Sequence, residues 1–201
     1  MAHVGAEELA AGLEAIRGAP ADAGTVELIV RRPAVDQREV LEEGVLTTEG
    51  GLAGDDWRAR GSRSTPDGAA DPDRQLTVMG SRVIALLAGG GPDAWPLAGD
   101  QLFVDLDLGV ANLPAGTRLA IGEAVIEVTE PPHTGCAKFS ARFGSDAMRF
   151  VNSPDGRALR LRGLNARVVV PGTVRRGDAI TKCAKTEREA VAVQHTAAGT
   201  P

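Results

Sequence analysis

Short apolar segments separated by turn sequences constrain the fold of this chain more than any other feature. Between residues 99 and 130, GDQLFVDL is followed by NLPAGTRLAIGEAVIEVTE, in which Pro-Ala-Gly and Gly-Glu turns divide short strand patterns. Residues 164–180, LNARVVVPGTVRRGDAI, predict two further strands. Short strands with frequent turns are typical of a β-barrel or a sandwich, so the chain predicts one of these architectures.

An earlier strand is predicted at residues 25–33, TVELIVRRP. Its alternating pattern places Val26, Leu28 and Val30 on one face of that strand. Residues 75–79, QLTVM, predict another strand before the turn-rich region. The fold class is therefore expected to be mainly β with a few helices, an α+β fold.

Apolar residues at helical spacing predict three short helices, at residues 6–17, 81–88 and 137–151. Neither an internal repeat nor a second core is indicated, so residues 25–181 are predicted to form one domain. Residues 1–24 precede it as an N-terminal extension that contains the first helix. Residues 182–201 lack an apolar face and are predicted to be disordered.

Composition narrows the classes of protein to which the chain can belong. A hydrophobic content of 43% over 201 residues is enough to form a core, and no apolar run reaches the ~18 residues that span a bilayer. The net charge of -5 argues against general nucleic-acid binding. The N-terminus lacks a signal peptide, and Cys183 lies beside the predicted disordered tail, which disfavours a disulfide with Cys136. We therefore expect a soluble cytoplasmic protein with reduced thiols.

Positive charge is concentrated in one part of the chain. From Lys138 to Arg176 there are nine basic residues and two acidic ones, although the whole chain carries a net charge of -5. Guanidinium groups match the geometry of phosphate oxygens, so this basic segment favours an anionic ligand. A solvated basic surface is the alternative interpretation.

A long segment without hydrophobic periodicity follows the early strands. Residues 50–74 are rich in Gly, Asp, Ser and Pro and contain one tryptophan, Trp57. Loops of this length inside a compact domain are usually functional or disordered. We expect this loop to form a lid over the functional site.

The segment PPHTGCAKF, residues 131–139, places Cys136 at the start of the third predicted helix. At a helix N-terminus and near Lys138 and Arg142, a thiolate is stabilised by the helix dipole and by the neighbouring cations. Such a thiolate is a good nucleophile and a good ligand for a soft metal. Cys136 is therefore the main candidate for a functional residue, and the alternative is a buried, inert cysteine.

His133 lies close enough to Cys136 in the sequence for zinc binding and for a nucleophilic pair to be considered. A structural zinc requires four protein ligands and a catalytic zinc about three. The other histidines and the other cysteine, which are His3, Cys183 and His195, lie near the termini. Zinc is therefore disfavoured, whereas a catalytic pair of Cys136 and His133 stays open.

Six motifs follow one another along roughly residues 25–181: GGLAGDDW, RQLTVM, GDQLFVDLDL, LPAGTRLAIGEAVIEV, PPHTGCAKF with RFG after it, and GTVRRGDAI. Together they resemble a MOSC domain, the module named after the C-terminal part of eukaryotic molybdenum cofactor sulfurase. The resemblance implies a β-barrel fold with Cys136 as the functional thiol. It further implies that this thiol ligates the molybdenum of a pterin cofactor or carries sulfur towards a metal–sulfur centre.

The resemblance also implies roles for other residues. Lys138 and Arg142 match basic positions after the cysteine and are expected to contact the cofactor phosphate. Motif positions imply further cofactor-binding roles for Asp55, Arg74, Gln75, Thr77 and Asp100. Arg160, from the basic segment, is a further candidate for binding an anion. Two departures from the family pattern, Trp57 with its neighbours in place of a loop histidine and Gln101 in place of asparagine, argue against a catalytic role for the loop.

The leading hypothesis is a protein that binds the molybdenum–pterin cofactor or carries sulfur through Cys136. As an enzyme it would be a molybdenum-dependent oxidoreductase acting on N-hydroxylated compounds, or a sulfurtransferase. Its partner would be a redox protein or a sulfur donor, because the chain has no flavin or iron–sulfur motif. Pyridoxal phosphate is not expected, since 201 residues cannot also hold the sulfurase domain. The alternatives are an anionic-metabolite-binding module without redox chemistry and a thiol enzyme using Cys136 and His133.

Overall fold

Strands and short helices alternate along the protein, for which a computed structural model describes residues 3–62 and 64–183. The helices are α1 Ala6–Ala11, α2 Leu13–Arg17, α3 Trp57–Arg60, α4 Ser81–Ala88, α5 Ala137–Asn152 and α6 Pro154–Ala158. The strands are β1 Ala23–Arg31, β2 Glu39–Leu41, β3 Glu43–Thr47, β4 Gly51–Leu52, β5 Leu76–Gly80, β6 Leu102–Asp105, β7 Arg118–Ile121, β8 Ala124–Val128, β9 Leu164–Val170, β10 Gly172–Arg175 and β11 Ala179–Cys183. The 3-10 helices are Pro72–Arg74 and Pro92–Ala98.

Seven of the described strands close into a barrel. Their order is β11-β7-β8-β9-β5-β6-β1, and β1 pairs again with β11 through residues 23–25. The barrel ladders are antiparallel apart from the one between β5 and β6, where Val78 lies beside Leu102. β2 pairs antiparallel with the end of β1, outside the barrel. β10, β3 and β4 form a separate three-stranded sheet. The expected β-barrel and α+β class are therefore confirmed, and closure removes the unpaired edges of an open sheet.

Two hydrophobic clusters stabilise this architecture. The first takes side chains from every barrel strand and fills the interior. The second joins the outer surface of the barrel to α1, α2, α4 and α5, with Phe103 of β6 packed among helical residues such as Phe139 and Phe143. This second core was not indicated by the sequence pattern. It holds α5 against the barrel and so fixes the position of Cys136 at the start of that helix.

The prediction that Val26, Leu28 and Val30 share a face is wrong. Val26 belongs to the barrel cluster, whereas Leu28 and Val30 belong to the cluster beneath the helices. The pairing of β1 with β6 shifts register between Val26 and Leu28. A bulge of this kind changes which residues point inwards, so a strict two-residue period fails beyond it.

The helices largely follow the predicted segments. Residues 6–17 form two helices instead of one, divided at Gly12, where a Cβ atom would lie 2.5 Å from Leu86 Cδ2. The third predicted helix is α5, which Gly144 interrupts with a φ of 92°. None of the helices in the described ranges is long and apolar enough to cross a membrane. The tail predicted to be disordered began at residue 182, but Lys182 and Cys183 belong to β11. The rest of it, residues 184–201, lies outside the described residues.

Closing the barrel depends on apolar burial along β11. Ile180 is fully buried and pairs with Gly24 of β1 and Ile121 of β7. We expect Ile180→Ala to lower the free energy of unfolding by about 2–5 kcal/mol, because it leaves a cavity in the barrel core. Val40→Ala on β2 is the control, since Val40 is 51% exposed, and it should cost less than about 1 kcal/mol. Urea unfolding of both variants measures the difference. Equal losses in the free energy of unfolding would contradict the role of β11 in closing the barrel.

Candidate functional site

Cys136 precedes the first turn of α5, as predicted from the sequence. Its backbone is extended, with φ -121° and ψ 176°, and its side chain is exposed and forms no disulfide. Phe139 and Phe143 bury the inner face of the helix, with ring centroids 4.9 Å apart. The thiol therefore lies at a rigidly held helix N-terminus, where the backbone N–H groups and the helix dipole favour negative charge. The alternative interpretation, a buried cysteine, is wrong because the side chain of Cys136 is exposed.

A cleft of about 380 Å³ opens beside Cys136, and we call it the cationic cleft. This volume lies within the range of small-molecule sites. The cations that line it are Arg32, Arg38, Arg60, Lys138, Arg142 and Arg162. Asp36 and Asp56 are the carboxylates of its lining, and His133 and Phe139 complete the wall nearest to Cys136. The cleft is therefore suited to an anion.

One wall of the cleft is built on Arg32 and Asp55. Asp55 is fully buried and accepts hydrogen bonds from Arg32 Nε at 2.9 Å and Arg32 Nη2 at 2.8 Å. Arg32 Nη1 donates to the Gly99 carbonyl at 2.9 Å. A bidentate pair of this kind fixes the plane of the guanidinium. Asp55, which the family resemblance assigns to cofactor binding, thus acts in this structure by holding Arg32 in the wall.

A second buried ion pair forms the floor. Arg162 Nη1 donates to Asp100 Oδ2 at 2.7 Å and Nη2 to the Ala98 carbonyl at 3.0 Å, while the guanidinium carbon lies 4.9 Å from the centre of the Phe139 ring. Burial raises the pKa of Asp100, and Arg162 opposes this by stabilising the carboxylate. The pair therefore fixes the Arg162 guanidinium beneath the cysteine segment.

His133 lies next to this pair. Its Nδ1 atom is 3.4 Å from Asp100 Oδ1, and its side chain is 17% exposed. Burial lowers the pKa of His133 well below its usual value, and repulsion from Arg162, Arg32 and Arg74 acts in the same direction. The imidazole is therefore neutral at pH 7. Across the described ranges, no group of three or more His, Cys, Asp or Glu side chains is arranged to hold a metal ion.

The mouth of the cleft is held by weaker contacts. Lys138 Nζ and Arg142 Nη2 each lie 3.1 Å from the same oxygen of Asp36, and Arg142 Nη1 donates to the Leu97 carbonyl at 2.8 Å. Asp36 is exposed, and its hydrogen bond with Lys138 lowers the pKa of its carboxyl group. Exposed ion pairs contribute little, so an incoming anion can replace Asp36 as the partner of these two cations.

Two further arginines show how strongly positive the cleft is. Burial lowers the pKa of Arg38, and repulsion from Arg142 and Arg32 lowers it further. The Nε atom of Arg38 is buried without a hydrogen-bond partner. Burial also lowers the pKa of Arg60, and Arg32 again adds repulsion, although Arg60 forms an ion pair with Asp56 at 2.7 Å. Since arginine stays protonated, this cost would be offset by a bound anion.

Several residues that the family motifs single out lie behind the cleft instead of lining it. Gln101 Oε1 accepts from the backbone N–H of Thr77 at 2.9 Å and from its hydroxyl at 2.7 Å. Gln75 donates to the Thr48 carbonyl and accepts from Val168 N, each at 2.8 Å. Arg74 forms an ion pair with Asp71 at 3.2 Å. The amide groups of Gln75 and Gln101 thus replace ladder contacts where β5 meets its neighbours.

The basic segment from Lys138 to Arg176 does not gather at one site. Three of its cations, Lys138, Arg142 and Arg162, reach the cationic cleft. Arg160 lines other cavities and donates to the Leu113 carbonyl at 2.6 Å. The remaining basic residues of the segment lie outside the cleft, several of them in ion pairs elsewhere.

Three cleft arginines, Arg32, Arg38 and Arg60, come from outside that segment and were not singled out as site residues. Arg32 follows β1, and Arg60 ends α3 within the long loop. Their clustering in the sequence with Asp36, Asp55 and Asp56 was a possible signal, because charged residues that follow strands often face a site. Residues 50–74 contain β4, α3 and a 3-10 helix, and the front of this segment is tied down by the Arg32–Asp55 pair.

The neutral state of His133 makes the stability of the fold depend on pH. The imidazole of His133 takes up a proton near pH 6.5 in the unfolded chain but resists protonation in the folded protein. Its contribution to the free energy of unfolding is therefore present above that pH and is lost as pH falls. The pKa of Asp100 is raised, so this group acts in the opposite sense. Its contribution to the stability of the fold is present at low pH and is lost as pH rises through its pKa in the folded protein.

We expect His133→Asn to reduce the loss of stability between pH 7 and pH 5, because the asparagine cannot take up the proton. Urea unfolding at pH 7, 6 and 5 measures the effect. Parallel stability curves for the two proteins would show that His133 is not buried in a neutral state.

Comparison with known proteins identifies the family. A family model described as the MOSC domain matches residues 70–181. The crystal structure of YuaD from Bacillus subtilis superposes with a TM-score of 0.58 at 19% identity, over 79% of this chain and 94% of that one. YiiM from Escherichia coli gives a TM-score of 0.52 at 20% identity, over 81% and 71% of the two chains. YiiM from Geobacillus stearothermophilus gives 0.50 at 13% identity, over 90% of each chain.

At these identities the solved structures show a shared fold, and they carry no statement about activity. A search among curated proteins gives no significant match. The family model, however, spans more than half of the chain and includes the cysteine segment. The resemblance seen in the order of the motifs is thereby confirmed, and the chain belongs to the MOSC domain family.

Proposed function

We propose that the protein binds a molybdenum–pterin cofactor in the cationic cleft, with the Cys136 thiolate as the protein ligand to the metal. The MOSC family as a whole is linked to this cofactor or to sulfurase-like functions. The observation that carries the proposal is the exposed thiol at the N-terminus of α5 beside a cleft lined by six cations. A thiolate suits a soft metal, and the cations suit a phosphate.

The donors in the cleft fit such a cofactor. Lys138 and Arg142 share a single exposed carboxylate, and Arg38 has a buried Nε atom without a partner. A phosphate placed among these three groups would receive charge-assisted hydrogen bonds and reduce their mutual repulsion. The cleft thus offers an anion site and a thiol within one continuous lining.

When bound, the cofactor supplies a redox-active metal, and the protein supplies the surroundings of that metal. Cys136 provides a thiolate, and the helix dipole of α5 favours its charge. His133 lies in the same wall as a neutral group that can take part in a hydrogen bond without adding charge. Asp100 and Arg162 hold this wall in place. Turnover of an N-hydroxylated compound, or transfer of sulfur, would need a separate donor protein as partner.

Cys136→Ser tests the proposed metal ligand. After native purification from cells supplied with molybdate, we expect the variant to hold about tenfold less molybdenum than the wild type, because a hydroxyl is a poor ligand for a soft metal. Cys183→Ser, which alters the other thiol outside the cleft, is the matched control. Metal analysis and pterin fluorescence measure the loading. Equal molybdenum contents in all three proteins would overturn the assignment of Cys136.

The anion site can be tested separately with inorganic phosphate. We expect Arg142→Ala to weaken phosphate binding about tenfold, since it removes a charge-assisted hydrogen bond. Asp36→Asn should strengthen binding about two- to fivefold by releasing Lys138 and Arg142 from their shared carboxylate. Calorimetric titration at low salt measures both changes.

Arg149→Ala is the matched control for this experiment, because Arg149 lies on the same helix and pairs with Asp146 outside the cleft. Cys136→Ser should leave phosphate binding unchanged. If Arg142→Ala and Arg149→Ala weakened binding equally, general surface charge would explain it. Phosphate binding that persists while molybdenum loading does not depend on Cys136 would favour a module for anionic metabolites.

A further inference from the structure

A second cavity of about 470 Å³ lies beside the cationic cleft and shares only His133 with it. Its lining includes Val110, Pro131, Val151 and Leu164, so much of its wall is hydrocarbon. We call it the apolar cavity. Its volume is within the range of sites that enclose small organic molecules. Val110 is 47% exposed at this cavity, whereas Val151 and Leu164 are almost completely buried.

Arg160 gives this apolar wall an uncompensated positive charge. Its Nη1 atom donates to the carbonyl oxygens of Leu113 at 2.6 Å and Leu108 at 3.3 Å, which are neutral partners. Burial lowers the pKa of Arg160, and no carboxylate within residues 3–62 and 64–183 forms an ion pair with it. Its backbone φ is 47°, a conformation that costs energy in a residue other than glycine. The described part of the chain therefore holds this guanidinium at the cavity without providing a counter-ion.

A second guanidinium, that of Arg157, lines the same cavity from α6. Its side chain is exposed and makes no hydrogen bond or ion pair within residues 3–62 and 64–183. Glu130, also exposed, is the carboxylate of the lining. Two guanidinium groups thus face one carboxylate beside an apolar wall, which leaves an excess of positive charge for a ligand.

We propose that the apolar cavity binds a small carboxylate with a hydrocarbon body, such as an alkyl or aryl carboxylate. The carboxylate lies at Arg160 and Arg157, because guanidinium groups pair with carboxylates through two parallel hydrogen bonds. The hydrocarbon body packs against Val110 and Pro131, the more accessible apolar residues of the lining, which removes apolar surface from water. The site is independent of a cofactor in the cationic cleft, and its ligand would reach the shared residue His133.

Methyl-resolved NMR titrations with octanoate and 1-naphthoate test this proposal, with their primary amides as uncharged controls. We expect the carboxylates to shift the methyl signals of Val110, Val151 and Leu164, and the amides to bind about tenfold more weakly because they lose the charge-assisted contacts. Amides that bind as well as the acids would overturn the charge argument. Carboxylates that shift none of these signals at millimolar concentration would overturn the site.

Three substitutions of exposed residues sharpen the test without disturbing the fold. Arg157→Ala should weaken carboxylate binding about threefold, and Glu130→Gln should strengthen it by a similar factor. Arg176→Ala, which removes an arginine paired with Glu42 elsewhere, is the matched control and should change nothing. Equal effects of Arg157→Ala and Arg176→Ala would refute a specific role for Arg157.

Ala115→Trp should block the apolar cavity, since Ala115 is an exposed residue of its lining and a large side chain would occupy the space. We expect this variant to lose carboxylate binding while phosphate binding in the cationic cleft stays unchanged. The two sites can therefore fail independently. Carboxylate binding that survives Ala115→Trp would show that the ligand lies elsewhere.

Discussion

The buried ion pair between Asp100 and Arg162 is the contact on which the geometry of the cationic cleft depends. Asp100 precedes β6 and Arg162 precedes β9, so the pair joins two separate parts of the barrel. Arg162 also lies over Phe139 of α5, and Asp100 faces His133 of the cysteine segment. Removing either charge would leave the other buried without compensation, which is strongly unfavourable. One contact therefore sets the positions of the barrel end, the helix and the segment that carries Cys136.

The motif residues around this pair build the cleft more than they line it. Asp55 orients Arg32, and behind the wall Gln101 accepts from the Thr77 N–H and donates to the Gln75 carbonyl. The side chain of Gln75 in turn donates to the Thr48 carbonyl. Such a network is favourable only when each buried polar group is satisfied. The motif residues thus support the functional region, while residues outside these positions, such as Arg32, Arg38 and Arg60, line the cleft.

Much of the fold could be predicted from the sequence, because turn residues and short strands leave few architectures and because the motif order restricts them further. Cys136, Lys138 and Arg142 were predicted to lie together, and the helix explains why: Lys138 and Arg142, four residues apart, share one face of α5, and Cys136 precedes its first turn. The phase of β1 could not be predicted, since the bulge after Val26 arises from pairing with β6. The full set of cations that line the cationic cleft could not be predicted either. Neighbouring arginines point in different directions on strands and turns, so the basic segment disperses, while Arg32 and Arg60 are brought in by tertiary contacts.

The pairing of β1 with β11 joins the first and last strands of the described chain. A chain is synthesised from its N-terminus, so β1 exists long before the strand that completes its hydrogen bonding. Without β11, the same strand order would leave β7 and the start of β1 without a partner on one side. Cys136 and Arg162 also come from the later half of the described chain, so the early strands emerge without the residues of the cleft floor. The cleft is therefore a property of the closed barrel, since the pair in its floor, Asp100 and Arg162, joins the segments that precede β6 and β9.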